Sequence, residues 1–166
     1  MIVRPIIVGD RSAVAGGGGD RSAVAEVIAS DETFKPDEVA VALELVDAAI
    51  AGSTDYLVRV ADAGDDGGVC GYICFGRTPM TERTYDLYWV VVHARVRGRG
   101  VARTLVDAME QEVRSRGGGQ IRVETSETDG YGTARAVYAR LGYPEASRLP
   151  DFYSPGDALI TYYKVL

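Results

Sequence analysis

The sequence is poor in several residue types, and each shortage excludes a class of function. Among 166 residues there are two cysteines and one histidine, and Lys35 and Lys164 are the only lysines. Because neither cysteine has a neighbouring histidine or cysteine in sequence, we expect no metal site. The first residues contain no long apolar run, so we expect neither a signal peptide nor a membrane span. A cytoplasmic location without a membrane partner is the default expectation.

The chain is acidic, with a formal net charge of −6. A nucleic-acid partner is therefore not expected, because such proteins present a basic face. The length and the 46% apolar share predict one domain over residues 1–166. Cys70 and Cys74 fall on one face of a predicted strand, about 13 Å apart, which is too far for a disulfide. We interpret them as buried thiols in a reducing compartment.

A repeat of seven residues interrupts the first part of the chain. The segment GDRSAVA occurs at 9–15 and again at 19–25. Either Asp10 or Asp20 could cap a helix, but only the second copy continues into an apolar-periodic run. We predict that the helix begins near Asp20. Residues 9–19 are then a duplicated loop segment without a function of its own.

The pattern of apolar residues predicts an α/β fold. Alternating and helical periodicities give the order β-α-α-β-β-β-α-β-α-β-β and a mixed sheet. The clearest elements are a strand over 85–93 and a helix over 100–119, which Gly117 ends. Pro5 suits an edge strand, because it lacks the N–H that a central strand would donate. The last two strands form a hairpin.

The loop RVRGRGVA, residues 95–102, separates the clearest strand from the clearest helix. Its spacing Arg-x-x-Gly-x-Gly/Ala occurs twice, once from Arg95 and once from Arg97. Free N–H groups at a helix start bind phosphate oxygens, although the Walker A and Rossmann patterns are absent. The frame that begins at Arg97 is favoured, because the residue between its Gly100 and Ala102, Val101, belongs to the apolar face of the helix. The other frame would turn Arg99 into the core.

These segments resemble the GNAT superfamily of acyl-CoA-dependent N-acyltransferases. YWVVVHARVRGRGVARTLV is similar to the family's central strand, Gln/Arg-x-x-Gly-x-Gly/Ala loop and helix, and ARAVYARLGY is similar to its Tyr-x-x-x-Gly-Phe/Tyr helix end. The resemblance covers most of the chain. It implies a mixed, mostly antiparallel central sheet flanked by helices. It also implies direct transfer of an acetyl group from acetyl-CoA to a primary amine of a small molecule or peptide.

The resemblance also implies a coenzyme site. The pantetheine amides would pair with the strand where the central strands splay, and the pyrophosphate would rest on the loop amides. The residues implied are Val90, Val91, Val92, Arg97, Gly98, Arg99, Gly100, Val101, Ala102, Arg103 and Tyr131. Tyr131 stands where the family often has Asn, and His93 and Ala94 stand where Asp-Pro is common. For His93 we expect a role in the turn.

Three residues match catalytic positions of the family. Tyr138 matches the tyrosine that protonates the leaving thiolate, and its alternative is a helix tyrosine packed in the core. Asp86 and Glu124 each match a position where some members carry a catalytic carboxylate, and each could instead be an ion-pair partner. The backbone N–H of Val92 would stabilise the oxyanion.

Some alternatives stay open at this point. Phe152 and Tyr153 either wall the acceptor site or cover the core. The chain could be a non-catalytic acyl-CoA-binding sensor, and an RNA-binding module built on the arginine cluster is disfavoured by the acidic remainder. A homodimer is a further expectation that the sequence leaves open.

Overall fold

The structure, a computed structural model, describes residues 1–7, 19–63 and 68–166 and confirms the predicted α/β order. Most of the duplicated segment at 9–19 lies outside these described residues. The strands are β1 (Ile2–Pro5), β2 (Leu57–Asp62), β3 (Val69–Arg77), β4 (Thr84–Val92), β5 (Gln120–Ser126), β6 (Glu145–Ser154) and β7 (Asp157–Val165). The helices are α1 (Asp20–Ala29), α2 (Pro36–Ile50), α3 (Val101–Ser115) and α4 (Gly132–Arg140). Short 3₁₀ turns cover Ala94–Val96 and Asp129–Tyr131.

The seven strands form one mixed sheet, as predicted. Their order is β1-β2-β3-β4-β5-β7-β6, and every neighbouring pair is antiparallel except β4 and β5. β1 lies at one edge, which confirms the position expected for Pro5. β6 lies at the other edge and is exposed along its whole length. Phe152 and Tyr153, on this edge, are exposed and do not cover the core.

Helices cover both faces of the sheet. α3 and α4 pack on one face, where Leu105 and Met109 are completely buried, and α1 and α2 pack on the other through Val24 and Val46. The central strand β3 is therefore buried on both faces, from Val69 to Gly76. None of the four helices that the structure describes is long and apolar enough to cross a membrane.

The prediction that the two cysteines share one face is wrong. Cys70 belongs to the core cluster under α3, whereas Cys74 belongs to the cluster under α1 and α2. β2 and β3 shift register here, since Ala61 faces Gly71 and Asp62 faces Val69, which leaves Cys70 as a bulge residue. A bulge interrupts the alternation of side chains along a strand. Both thiols are free and buried, as expected.

α1 begins at Asp20, as predicted, but Asp20 does not cap it. Gly19 is the N-cap, and Asp20 is the first helical residue. The Asp20 carboxylate accepts hydrogen bonds from Arg4 Nη1 at 2.6 Å and from the Ile7 N–H at 2.8 Å. Asp20 therefore fastens the edge strand to α1, a long-range role that local sequence does not indicate.

Gly76 allows a close approach that any other residue would prevent. A Cβ at this position would lie 1.9 Å from the backbone oxygen of Asp55. We expect Gly76→Ala to lower the free energy of unfolding by about 1–3 kcal/mol, because backbone must move to relieve the clash. Gly132→Ala is the control: Gly132 has helical dihedrals, and a Cβ there would meet only Arg135, at 3.7 Å. It should raise the same quantity by about 0.5–1 kcal/mol. Urea unfolding followed by circular dichroism measures both, and equal effects would contradict this account.

Candidate active site

A cleft opens where β4 and β5 separate. The two parallel strands pair only from Thr84 with Gln120 to Leu87 with Val123. Beyond these residues lies a cleft of about 500 Å³ between the end of β4, the start of α3, α4 and the loop that precedes α2. The predicted splaying of the central strands is therefore present, and it begins after Leu87.

The end of β4 turns its outer backbone edge toward this cleft. Val92 lies opposite Gly71 of β3, and the next residue, His93, donates its N–H to the Cys70 oxygen at 2.9 Å. In an antiparallel ladder, residues alternate between those bonded to the partner strand and those facing away. The N–H and C=O groups of Val90 and Val92 consequently face away from β3. They point into the gap that β5 has left, where the Val92 oxygen accepts a hydrogen bond from Arg97 Nε at 3.4 Å and an amide-containing chain can pair with the other groups.

A β-bulge in β4 adds two aromatic side chains to the cleft. Cys74 and Phe75 of β3 face Trp89 and Leu87, so Tyr88 is an extra residue. Because a bulge interrupts alternation, Tyr88 and Trp89 both pack against the cluster under α1 and α2 although they are adjacent in sequence, and both border the cleft. Sequence analysis missed both, since no local pattern locates the bulge.

Edge-to-face ring contacts hold these two aromatic residues in place. The centroid of Tyr88 lies 5.5 Å from that of Tyr56, and the centroid of Trp89 lies 5.4 Å from that of Phe34. Burial, followed by the nearby Asp86 carboxylate, raises the pKa of Tyr88 to about 12. Tyr88 is therefore a neutral phenol at physiological pH.

The glycine loop has the geometry of an anion site. Gly100 is the N-cap of α3 with φ +82°, and Gly98 has φ +77°, so both are left-handed. Val101 is only 4% exposed, as the helix phase predicts. A Cβ at either glycine would meet no atom within 4 Å, which leaves the loop open on its outer side. His93 has the expected turn role, because its Nδ1 accepts the Arg95 N–H at 3.2 Å.

Three arginines border the same end of the cleft. Arg97 and Arg103 come from the loop and the start of α3, and Arg140 comes from the end of α4. Arg97 Nη2 lies 2.7 Å from Asp31 Oδ2, and Arg103 Nη2 lies 3.5 Å from the Arg140 oxygen. Sequence analysis missed Asp31 and Arg140, because no motif marks them and only the fold brings them to the loop.

Tyr131 connects the start of α4 to the start of α2. Its hydroxyl donates a hydrogen bond to Glu38 Oε1, and its ring borders the cleft. Glu38 Oε2 also accepts the Lys35 N–H at 2.8 Å. Burial, together with this carboxylate, raises the pKa of Tyr131 above its usual value. At the position where the resemblance leads one to expect Asn, this chain therefore has a bridge between two helices.

Tyr138 packs in the core and borders the cleft as well. It is 7% exposed, and its ring centroid lies 6.3 Å from that of Tyr143 and 5.5 Å from that of Tyr162. Burial raises its pKa above the usual value for tyrosine. The side chain is thus a protonated phenol held at a fixed position on the cleft wall.

The two candidate carboxylates both pair with Arg122. Arg122 Nε lies 2.7 Å from Asp86 Oδ1, and Arg122 Nη1 lies 3.3 Å from Glu124 Oε1. Asp86 is 7% exposed and borders a second cavity of about 250 Å³, but not the cleft. The Glu124 side chain is 42% exposed and borders both cavities.

Comparison with known proteins identifies the family. The family model described as the acetyltransferase (GNAT) family matches residues 25–143, which include the whole cleft. This chain belongs to the GNAT acetyltransferase family. A search of functionally curated proteins gives no match.

Solved structures agree with this assignment. A Desulfovibrio desulfuricans protein assigned to the GNAT acetyltransferases is 34% identical, with a TM-score of 0.86 over 99% of this chain and 98% of that one. A ribosomal-protein-alanine N-acetyltransferase from Brucella melitensis is 19% identical, with a TM-score of 0.71 and full coverage of both chains. The aminoglycoside 6'-N-acetyltransferase from Enterococcus faecium is also 19% identical, with a TM-score of 0.69 over 99% of this chain and 97% of that one. The last two share the fold.

Family membership confirms the expected enzyme class, with acetyl-CoA as co-substrate. In this acetyltransferase, most of the residues expected to contact the coenzyme border the cleft. They are Val90, Val91, Val92, Arg97, Gly98, Gly100, Val101, Ala102, Arg103 and Tyr131. The exposed Arg99 does not border it. Of the three candidate catalytic residues, Tyr138 and Glu124 meet at the cleft, and Asp86 lies outside it.

The loop geometry can be tested by placing a carboxylate at the start of α3. We expect Gly100→Glu to abolish acetyl-CoA binding in calorimetric titration, because it strains a left-handed residue and puts a negative charge where phosphate should bind. Gly117→Glu is a matched control at the other end of α3, with φ +81° and the same open surroundings. It carries the same strain and charge but should leave the affinity unchanged. Equal losses in both variants would contradict the loop assignment.

Proposed function

We propose that this acetyltransferase transfers the acetyl group of acetyl-CoA directly to a primary amine of a small molecule or peptide. One observation carries the proposal. One cleft is bordered by the backbone edge of Val90 and Val92 that faces away from β3, by the open helix start at Gly100 and by the neutral phenol of Tyr138. These features supply, in that order, groups suited to a pantetheine arm, a pyrophosphate and a leaving thiolate.

Backbone amides and arginines would hold the coenzyme. The first N–H groups of α3 have no partner within the helix and carry its partial positive charge. Arg97, Arg103 and Arg140 border this end and would add charge-assisted hydrogen bonds to the phosphates. The backbone of Val90 and Val92 would pair with the pantetheine amides, as an additional strand would.

Val92 and Tyr138 would act on the reacting atoms. The acceptor nitrogen forms a bond to the acetyl carbon, and the carbon–sulfur bond breaks. The backbone N–H of Val92 would stabilise the negative charge that develops on the carbonyl oxygen. The phenol of Tyr138, which is neutral at physiological pH, would give its proton to the departing sulfur.

Glu124 is the better candidate for the base that deprotonates the amine. It borders both cavities and its side chain is 42% exposed, so an acceptor nitrogen can approach it directly or through water. Asp86 is largely buried and is engaged by Arg122 at 2.7 Å. We therefore assign Asp86 to the positioning of Arg122.

A covalent acetyl-enzyme is disfavoured by the state of the thiols. Cys74 is completely buried, and burial raises its pKa to about 12. Burial also raises the pKa of Cys70. Because the thiolate is the nucleophile in acyl transfer to cysteine, neither side chain suits that chemistry, and direct transfer is the simpler reaction.

Thiol release from acetyl-CoA in the presence of a panel of amines tests the proposal. The panel should include monoamines, polyamines, an aminoglycoside and peptides with a free N-terminus. We expect at least one amine to be acetylated, with coenzyme A released in equal amount. Tight binding of acetyl-CoA in calorimetry without turnover on any amine would instead favour the non-catalytic sensor.

The role of Tyr138 predicts a loss of rate without a loss of affinity. We expect Tyr138→Phe to lower kcat by about a hundredfold, because the thiolate then leaves unprotonated. The affinity for coenzyme A should change little. Tyr162→Phe is the control, since it removes a hydroxyl from the ring that packs against Tyr138 but does not border the cleft. An unaffected rate in Tyr138→Phe would remove the acid role.

The two carboxylates should differ in whether their loss affects rate or stability. Glu124→Gln should lower kcat by about a hundredfold and change the thermal midpoint little, because it removes the base and leaves the buried ion pair intact. Asp86→Asn should lower the thermal midpoint and affect kcat much less, because it weakens a largely buried ion pair. The reverse pattern would make Asp86 the base.

A further inference from the structure

A second cavity adjoins the cleft on the side of α2. This cavity, which we call the acceptor slot, has a volume of about 250 Å³ and lies between α2 and β4. Its walls are apolar: Val41 and Leu45 come from α2, and Leu87, Tyr88 and Trp89 come from β4. The charged residues Asp86, Arg122 and Glu124 complete its lining.

The acceptor slot and the cleft share three side chains. Tyr88, Trp89 and Glu124 border both cavities, so the two spaces meet at these residues. An amine that enters the slot with its nitrogen at Glu124 presents that nitrogen to the cleft. The rest of its body stays against the apolar wall. The bulge at Tyr88 turns two consecutive aromatic side chains, Tyr88 and Trp89, toward the cluster under α1 and α2.

The apolar wall extends to the surface of the protein. Val41, at the mouth of the slot, is 47% exposed. Along the same face of α2, one turn earlier, the Glu38 carboxylate is engaged by Tyr131 and Lys35. The mouth beside Val41 and Leu45 is therefore suited to hydrocarbon.

The charged residues that line the slot have a net charge that one cation balances. Asp86 and Glu124 carry two negative charges, and Arg122, which pairs with both, carries one positive charge. The difference is one negative charge, which a single ammonium group balances. A second ammonium group would lie at the mouth against Val41 and Leu45, where the described residues that line the slot offer it no further carboxylate and where it would replace the apolar contact of a hydrocarbon end. The slot is also below the range of about 300–1,000 Å³ that is usual for drug-sized ligands.

We propose that the acceptor is a small primary amine that carries one positive charge on an apolar body, and that Arg122 limits it to that single charge. This inference rests on the proposed acetyl transfer and names its substrate class. Val41 and Arg122 are then specificity-determining residues: the first contacts the apolar body, and the second sets the charge of the slot.

A matched pair of amines tests the inference. Hexylamine and 1,6-diaminohexane have the same carbon chain and differ by one ammonium group. We expect kcat/KM for hexylamine to exceed that for the diamine by about tenfold or more, because the diamine must place its second charge against the apolar wall. Acetyl-CoA is held at saturation, and the release of coenzyme A is measured.

Variants at two positions should change this ratio. Val41→Asp places a carboxylate at the mouth and should shift the ratio toward the diamine by about tenfold. Ala40→Asp is the control, because Ala40 is exposed on the same helix but does not border the slot. Arg122→Gln removes the positive charge that balances one of the two carboxylates of the slot. It should therefore also shift the ratio toward the diamine. Because each result is a ratio within one protein, partial loss of folded enzyme does not alter it.

The outcomes separate this inference from the proposed function. A wild-type preference for the diamine, or equal ratios in Val41→Asp and Ala40→Asp, would overturn the inference and leave acetyl transfer intact. The inference would also be overturned, with acetyl transfer intact, if the enzyme acetylated other amines of the panel but neither hexylamine nor 1,6-diaminohexane. If no amine reacts, calorimetric titration of hexylamine into the coenzyme A complex decides. Binding that Val41→Asp weakens and Ala40→Asp does not would support the slot and overturn the transferase, whereas no binding would overturn the slot.

Discussion

The short parallel ladder between β4 and β5 is the constraint on which the site depends. Pairing stops at Leu87 and Val123, although β5 continues to Ser126 and stays bonded to β7 along its whole length. The sheet is therefore held together through β5 and β7, while the end of β4 is left without a second neighbouring strand. Backbone groups on such an edge need partners, and the Val92 oxygen has one in Arg97 Nε at 3.4 Å. This edge borders the cleft that is proposed to hold the coenzyme.

The bulge at Tyr88 determines what lies beyond the unpaired edge. Without the extra residue, Tyr88 and Trp89 would point to opposite faces of the sheet, whereas here both pack against the cluster under α1 and α2. Ring contacts from Phe34 and Tyr56 then keep both side chains in place. Both aromatic residues border the cleft and the slot.

Charge is divided between the two ends of the site. Arg97, Arg103 and Arg140 border the end near α3, whereas Glu124 and Asp86 lie toward α2 and are only partly balanced by Arg122. A protein with a net charge of −6 can therefore present a cationic end to phosphates. The favourable interaction is local, because solvent screens charges beyond about 8–10 Å.

Local patterns predicted the order of elements, the start of α3 and the register of the loop, because periodicity and glycine positions are local properties. The burial of Val101, for example, follows directly from helix phase. The faces of Cys70 and Tyr88 were not predictable, since bulges depend on a partner strand. Asp20 was expected as a cap but binds Arg4, and the two alternative candidates for the base, Asp86 and Glu124, both pair with Arg122. By itself, the sequence determined the family, the strand–loop–helix and the candidate carboxylates. Only the tertiary structure decided which groups meet, because strand separation and ion pairing join residues that are distant in the chain.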